Sequence, residues 1–324
     1  MTGMDMLNAL HIQGDETIAA RLEKYNELIM EKNRVMNLTG IKDSGESLIK
    51  NVYDSLTVYD ARYFPQGGSL LDLGTGAGFP GMILAILRPD MQVVLMDAIR
   101  KKLRFIEEAA DTLGVSNVTV VHSRAEDAAR DSAFRDHFDV VTARAVKSMP
   151  VISEWALPFV KKGGIFAAMK GPGAQDELRD ASGILSLMGT RLESEKECIL
   201  PSGEKRVILY LRKNSLTPKR FPRKAGEAER KPIKAVRDKR LKGADLLRLS
   251  ASGCFWFIYQ EAIRRIPPVL LMQRQRLKTF EEIFADIANL AGFARTLSAS
   301  PSLCIMRDKH IFQRGITEKL RKEE

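Results

Sequence analysis

LLDLGTGAGFPG, Leu70 to Gly81, decides the fold. An apolar run carries one acid, Asp72, and then gives way to Gly74, Gly76, Gly78 and Gly81. Such a run predicts a buried strand, and Pro80 suits the first turn of a helix, where its missing N–H costs little. Strand, glycine turn and helix N-terminus together bring bare backbone close to a ligand. In open α/β sheets ligands sit at the carboxyl ends of the strands. Gly74, Gly76 and Gly78 are therefore expected to line a nucleotide-like site.

The pattern around this stretch alternates. Strands are expected at SLLDL, QVVLMD, VTVVH, FDVVTAR and GGIFAAMKG, with helices at PGMILAILRP, AIRKKLRFIEEAADTLG, near Ala125, at MPVISEWALPFV and at AQDELRDASGILSLMG. Alternation of this kind predicts an α/β fold, a doubly wound parallel sheet. EKECILPSGEKRVILYLRK reads as two strands around a Pro-Ser-Gly turn, an antiparallel hairpin at the sheet edge. Upstream, a long amphipathic helix is expected from an Asp15 cap to near Gly40, and a second from Glu46 to Tyr59. The domains expected are an N-terminal helical region (1–65), a sheet domain (66–213), a basic arm or linker (214–242) and a C-terminal extension (243–324), weakly ordered or a small helical unit. RQRLKTFEEIFADIANLA, in that extension, faintly resembles the start of ParB-like partition proteins.

Composition narrows the function. The chain carries +10, and 13 Lys/Arg against 3 Asp/Glu between Arg212 and Lys242 account for all of it. Clustered cations of this sort release counterions from phosphates, so a polyanion-binding arm and a solvated tail are the two readings. Cys198, Cys254 and Cys304 are far apart and form no CxxC or Cys/His cluster, which argues against a disulfide framework or a zinc site. No apolar run approaches the roughly 20 residues of a membrane span. A cytoplasmic, metal-free protein is expected.

Two cofactors compete for the loop. GAGFPG formally matches the GxGxxG of dinucleotide enzymes, but the glycine that follows the strand directly is Gly74, so the register is wrong. Read from the strand, the motif is Asp72-x-Gly74-x-Gly76-x-Gly78. An acid before the loop suits a ligand that has no pyrophosphate, such as S-adenosylmethionine. Asp97 closes the second strand, where a carboxylate accepts ribose hydroxyls from either cofactor.

The sequence also resembles the bacterial small-subunit ribosomal RNA guanine-N7 methyltransferases, the RsmG or GidB family. The resemblance rests on NRVMNLTGI (33–41), YDSL (53–56), LLDLGTGAGFPG (70–81), MDAIRKKLRFI (96–106), SRAED (123–127), FDVVTARAV (138–146), LPFVKKGGIFAAMKG (157–171) and TPKRFPRKAG (217–226). It covers residues 1 to about 234 and leaves the extension outside. It implies a Rossmann-like class I methyltransferase, S-adenosylmethionine as cofactor, and N7-methylation of guanine 527 (standard numbering) in 16S ribosomal RNA, alone or in a small-subunit precursor. By motif, Gly74, Phe79, Ala125, Glu126 and Arg144 are implied as cofactor contacts; Phe79 as plain core and Glu126 as a helix-start charge stay open. Two positions depart from the family pattern: Asn51 stands where a histidine is common, and Lys205 where an arginine is usual.

Guanine N7 carries an in-plane lone pair on its major-groove edge, so no proton need be removed before attack. A catalytic base is not expected, and the enzyme has only to hold and orient the partners. Exocyclic-amine methylation would call for an Asn/Asp-Pro-Pro-aromatic turn after the fourth strand, where this chain has TARAV. Arg144, ending that strand, and Lys170, ending the fifth, are the candidates to face the acceptor base, although a structural role for Lys170 is equally compatible. Lys205, Lys219, Arg220, Arg223 and Lys224 are the expected RNA contacts. The deep A-form groove hides N7, so the target base must be looped or turned out. A monomer acting on RNA is expected. An NAD-dependent oxidoreductase and a non-catalytic RNA-binding protein on the same fold are the alternatives.

Overall fold

The computed structural model describes residues 1–234. Seven strands form one sheet: β1 (Ser69–Leu73), β2 (Gln92–Asp97), β3 (Val118–His122), β4 (Phe138–Arg144), β5 (Val160–Lys170), β6 (Thr190–Ile199) and β7 (Lys205–Lys213). Their order is β3-β2-β1-β4-β5-β7-β6. The first five run parallel, with Leu71 opposite both Val94 and Val141. β7 is antiparallel to β5 and to β6, which is the expected hairpin. Strand order reverses between β1 and β4. The crevice outside the strand ends at such a switch point is where open α/β sheets bind ligands, and the glycine loop begins there.

Each face of the sheet is covered by helices. On one side Leu22, Tyr25 and Ile29 of helix Glu16–Asn33 pack with Met82 and Ile86 of helix Gly81–Leu87 and with Ile106 of helix Arg100–Leu113. The last of these buries Leu103, Ile106, Ala110 and Leu113, one stripe at helical spacing, and stops at Gly114 with φ 63°. On the other side Met149 and Ile152 of helix Met149–Ala156 meet Phe159, Phe166 and Ile184. The N-terminal helical region thus shares its core with the sheet.

Three of the segments that differ from expectation bear on the site. Helix Glu16–Asn33 is capped by Asp15, which accepts from Ile18 N–H at 2.8 Å, but it ends well before Gly40. There the Asn33 amide oxygen accepts from Leu38 N–H (2.8 Å) and Thr39 N–H (3.0 Å), giving the backbone an alternative to the helix. The next helix is continuous but composite: α-helical at Ser44–Ser47, π-helical at Leu48–Tyr53 and α-helical again at Asp54–Leu56. The expected arm, as far as residue 234, lies on the sheet domain. Thr217, Phe221 and Ala228 are buried, and the Arg135 guanidinium donates to the carbonyls of Thr217 (3.1 Å) and Phe221 (2.9 Å). Residues 235–242 of the arm and the whole 243–324 extension fall outside the described residues.

Candidate cofactor and acceptor site

The glycine loop is shaped by positive φ at Gly74 (71°), Gly76 (60°) and Gly78 (85°). It is tied to the end of the neighbouring strand β2. Gly74 N–H donates to the Met96 carbonyl at 2.9 Å, and Gly76 N–H to an Asp97 carboxylate oxygen at 2.9 Å. Two of these glycines do different jobs. A Cβ on Gly78 would collide with the hydroxyl of Tyr25, itself fully buried and bonded to the Ala77 carbonyl at 2.7 Å. Among the described residues, a Cβ on Gly76 would meet only the Gly74 carbonyl oxygen and the Lys102 Nζ, each at 4.0 Å, so this position of the loop is uncrowded.

Asp72 lies beneath the loop and not at its open face. Its side chain is fully buried, accepting from Gly81 N–H at 2.9 Å and from the Thr142 hydroxyl at 2.8 Å. Burial pushes its carboxyl above the usual carboxylate range, with the Gly81 and Thr142 hydrogen bonds pulling the other way. Asp72 therefore locks the turn from below, across β1 and β4. This corrects its expected place as a direct cofactor contact: the carboxylate has no accessible face. Asp97, by contrast, is partly exposed at the end of β2, and its second oxygen accepts from Ile99 N–H at 2.8 Å. Across from it, His122 ends β3, and Ala125 and Glu126, both buried, open the short helix that follows. One Glu126 oxygen accepts from Gly226 N–H at 3.1 Å, so the arm reaches this end of the sheet.

Arg144 ends β4 with a mostly buried side chain. It pairs with neither Glu126 nor Asp97. Its guanidinium donates to Asp54 (3.1 Å), to the Asn51 amide oxygen (3.1 Å) and to the Lys50 carbonyl (3.0 Å). The π turn makes the last bond possible. In an α-helix the Asp54 N–H would take the Lys50 carbonyl; here it bonds Ile49 and Asn51. Asn51 is a hydrogen-bond partner of Arg144 through its amide oxygen, while its own amide donates to Ser47 at 3.1 Å. Asp54 also meets Arg206 of β7 at 3.2 Å. Burial raises the Asp54 carboxyl, and the two guanidiniums oppose that rise. Neither Asp54 nor Arg206 stands out in the sequence; the signal available is only that Asp54 falls within the YDSL motif.

The other candidates divide. Lys170 donates to the Lys147 carbonyl (2.7 Å) and to Glu177 (2.8 Å). Lys205 is exposed and paired with Glu197 at 2.9 Å. Arg223 makes a fork with Glu154, at 2.9, 3.0 and 2.6 Å, and Glu154 is only 1% exposed. Arg223, expected as an RNA contact, is partly exposed and has its charge paired with a buried carboxylate. Lys219, Arg220 and Lys224 are exposed and form no ion pair among the described residues. Among the same residues no three His, Cys, Asp or Glu side chains are grouped to hold a metal, and no helix is long and apolar enough to cross a membrane.

A family model described as rRNA small subunit methyltransferase G matches residues 18–205. The curated ribosomal RNA small subunit methyltransferase G of Leuconostoc citreum is 42% identical over 229 residues, 70% of this chain and 96% of that one. That of Lactococcus lactis is 38% identical over 238 residues, 72% of this chain and 100% of that one. Among solved structures, a putative O-methyltransferase from Klebsiella pneumoniae superposes with a TM-score of 0.42 at 16% identity, over 65% of this chain and 96% of that one. A precorrin-6y C5,15-methyltransferase from Geobacter metallireducens gives 0.39 at 17% identity, over 50% and 87%.

Proposed function

Because the chain belongs to the small-subunit ribosomal RNA methyltransferase G family, whose members are 16S ribosomal RNA methyltransferases dependent on S-adenosylmethionine, we propose that it methylates N7 of a guanine in 16S ribosomal RNA, position 527 in standard numbering. It acts in the cytoplasm, as a monomer and without a metal. The observation that carries this reading is the open face of Gly76 beside the Asp97 carboxylate, with Arg144 at the end of the next strand but one in the sheet.

The residues present fit the cofactor. Gly76 offers uncrowded backbone, with the Lys102 ammonium no nearer than 4.0 Å to where a side chain would start, and Asp97 offers carboxylate oxygens to ribose hydroxyls. Gly74 and Gly78 shape the turn, Phe79 supports it, and Ala125 and Glu126 stand at the adenine end. Bound there, S-adenosylmethionine supplies an electrophilic methyl on a sulfonium. The acceptor nitrogen needs no general base, since its lone pair is free at neutral pH. The protein's work is to orient the base and stabilise the charge that moves onto it. Arg144 suits that work: a planar guanidinium donates well to guanine O6. Lys219, Arg220 and Lys224 hold RNA phosphates.

Purified protein, labelled S-adenosylmethionine and small-subunit RNA from a strain lacking this modification make the test. Mass spectrometry is expected to find 7-methylguanine at one site. Label at another atom, or cofactor binding with no transfer to either free RNA or subunit particles, would overturn the reading; the latter outcome is the non-catalytic RNA-binding alternative.

A further inference from the structure

Asp54 is almost wholly buried, yet it touches two arginines from different strands. One oxygen lies 3.1 Å from Arg144 at the end of β4, and the other 3.2 Å from Arg206 near the start of β7. The carboxylate itself sits on the composite helix, at the exit of its π turn. Such turns are uncommon and frequently mark functional positions. Three separate elements are therefore pinned at one carboxylate, within reach of the strand ends that hold the loop.

A buried carboxylate is costly unless paired. Here it is paired twice, and the pairing has a direction. Arg206 stands beside one oxygen at ion-pair distance without a hydrogen bond, and the other oxygen accepts from Arg144. With Lys50 and Asn51 accepting as well, the guanidinium is held in one plane. That plane lies over Phe79 of the glycine loop, 5.1 Å from the ring centroid. An arginine left to itself would sample many rotamers, and ordering it during the reaction would cost rate.

We propose that Asp54 is a positioning residue for methyl transfer: anchored by Arg206, it fixes the Arg144 guanidinium that faces the acceptor base. This rests on the reading of Arg144 given under Proposed function. Arg206 belongs to the same device, as the group that orients Asp54.

The test is a double-mutant cycle in the full chain, with RNA as acceptor, reading kcat, KM for RNA, S-adenosylhomocysteine affinity and Tm. Asp54→Asn keeps the shape and removes the charge. It is expected to lower kcat about tenfold or more, as a charge-assisted hydrogen bond is worth, and to leave S-adenosylhomocysteine affinity within about threefold. In an Arg144→Ala background the same change is expected to cost nothing further in kcat, since it acts through Arg144. Losses that multiply in the double variant would overturn the proposal, as would unchanged kcat in Asp54→Asn alone. Should Asp54→Asn fail to fold, Arg206→Met in the same cycle carries the test: its kcat loss must vanish in the Arg144→Ala background. Wild-type transfer to guanine N7 is run alongside. Its absence defeats the proposed function, whereas multiplied losses with wild-type transfer intact defeat only the role of Asp54.

Discussion

The Arg144 guanidinium lies over the ring of Phe79, 5.1 Å from its centroid, and joins the end of β4 to the loop that follows β1. Phe79 in turn packs edge-on against Tyr25, ring centroids 5.7 Å apart. A cation, an aromatic face and a buried tyrosine thus form one line from the acceptor side to the N-terminal helix. The arrangement fixes where positive charge stands relative to the loop. Phe79 is 5% exposed, and the Arg144 guanidinium covers its ring face.

Arg144→Lys tests that arrangement. A lysine keeps the charge but is a point donor, without the planar fork that meets Asp54, Asn51 and the Lys50 carbonyl together. We expect kcat to fall by about ten- to a hundredfold, with S-adenosylhomocysteine affinity within about threefold of wild type, as expected for hydrogen bonds worth about 1.5–3 kcal/mol each. Calorimetry and single-turnover kinetics separate the two. Normal turnover at saturating cofactor, with weakened cofactor binding, would move Arg144 from the acceptor to the cofactor shell.

Asp97→Ala removes the carboxylate that faces the open part of the loop. Hydrogen bonds to a charged group are worth about 1.5–3 kcal/mol each, so affinity for S-adenosylhomocysteine should drop by at least about tenfold. The Gly76 and Ile99 N–H groups also give up their acceptor, but both lie in a partly exposed turn where water can replace it. Tm should therefore change little. Unchanged affinity by calorimetry would remove Asp97 from the cofactor site.

Gly78→Ala and Gly76→Ala should behave differently although both glycines have positive φ. At position 78 a methyl runs into the Tyr25 hydroxyl, which is buried and cannot swing away without losing the Ala77 carbonyl. Overpacking plus left-handed strain should cost about 2–4 kcal/mol, lowering Tm by about 5–15 °C for a domain of this size. At position 76 only the backbone strain of about 1–2 kcal/mol applies. The second variant should stay folded and lose cofactor affinity, because its methyl projects where the ligand is expected. Equal Tm losses in the two variants would mean that the Tyr25 hydroxyl does not constrain the loop.

Much of the fold is legible in the sequence, for reasons that particular residues make plain. The parallel strands are nearly continuous apolar runs, and Pro80, Gly114 and the Pro-Ser-Gly turn punctuate them. Asp15 is readable as a cap because the residue type states its own hydrogen bond. Helix Gly3–Ala9 escapes a search for apolar periodicity, although Thr2 and Asp5 form a capping box at its start. The π turn at Leu48–Tyr53 leaves no local mark, and the partner of its Lys50 carbonyl, Arg144, lies 94 residues away in sequence. The ion pair between Asp54 and Arg206 is equally invisible to periodicity. Asp72 reads as a ligand contact because its place before the loop is clear, while its burial depends on Thr142 and Gly81 and is not.

The arm shows the same limit and supplies the last prediction. Read as composition, Arg223 is one more cation in a basic run. In the fold it neutralises Glu154, and its backbone N–H donates to the same carboxylate at 3.0 Å. Of the four arm positions expected to meet RNA, only Lys219, Arg220 and Lys224 keep free charge among the described residues. Replacing these three by glutamine should weaken RNA binding and reduce the slope of log K against log salt by about 0.7–0.9 for each phosphate no longer neutralised. Arg223→Gln should leave that slope unchanged. It should instead lower Tm, because it strands a buried carboxylate, a change that typically costs about 3–5 kcal/mol when the pair is fully buried and less here, where the arginine is partly exposed. Filter binding across a salt series, with thermal melts of the same proteins, reads both effects. A salt slope that falls with Arg223→Gln, or stays constant in the triple variant, would show that the exposed cations of the arm are not what holds the RNA.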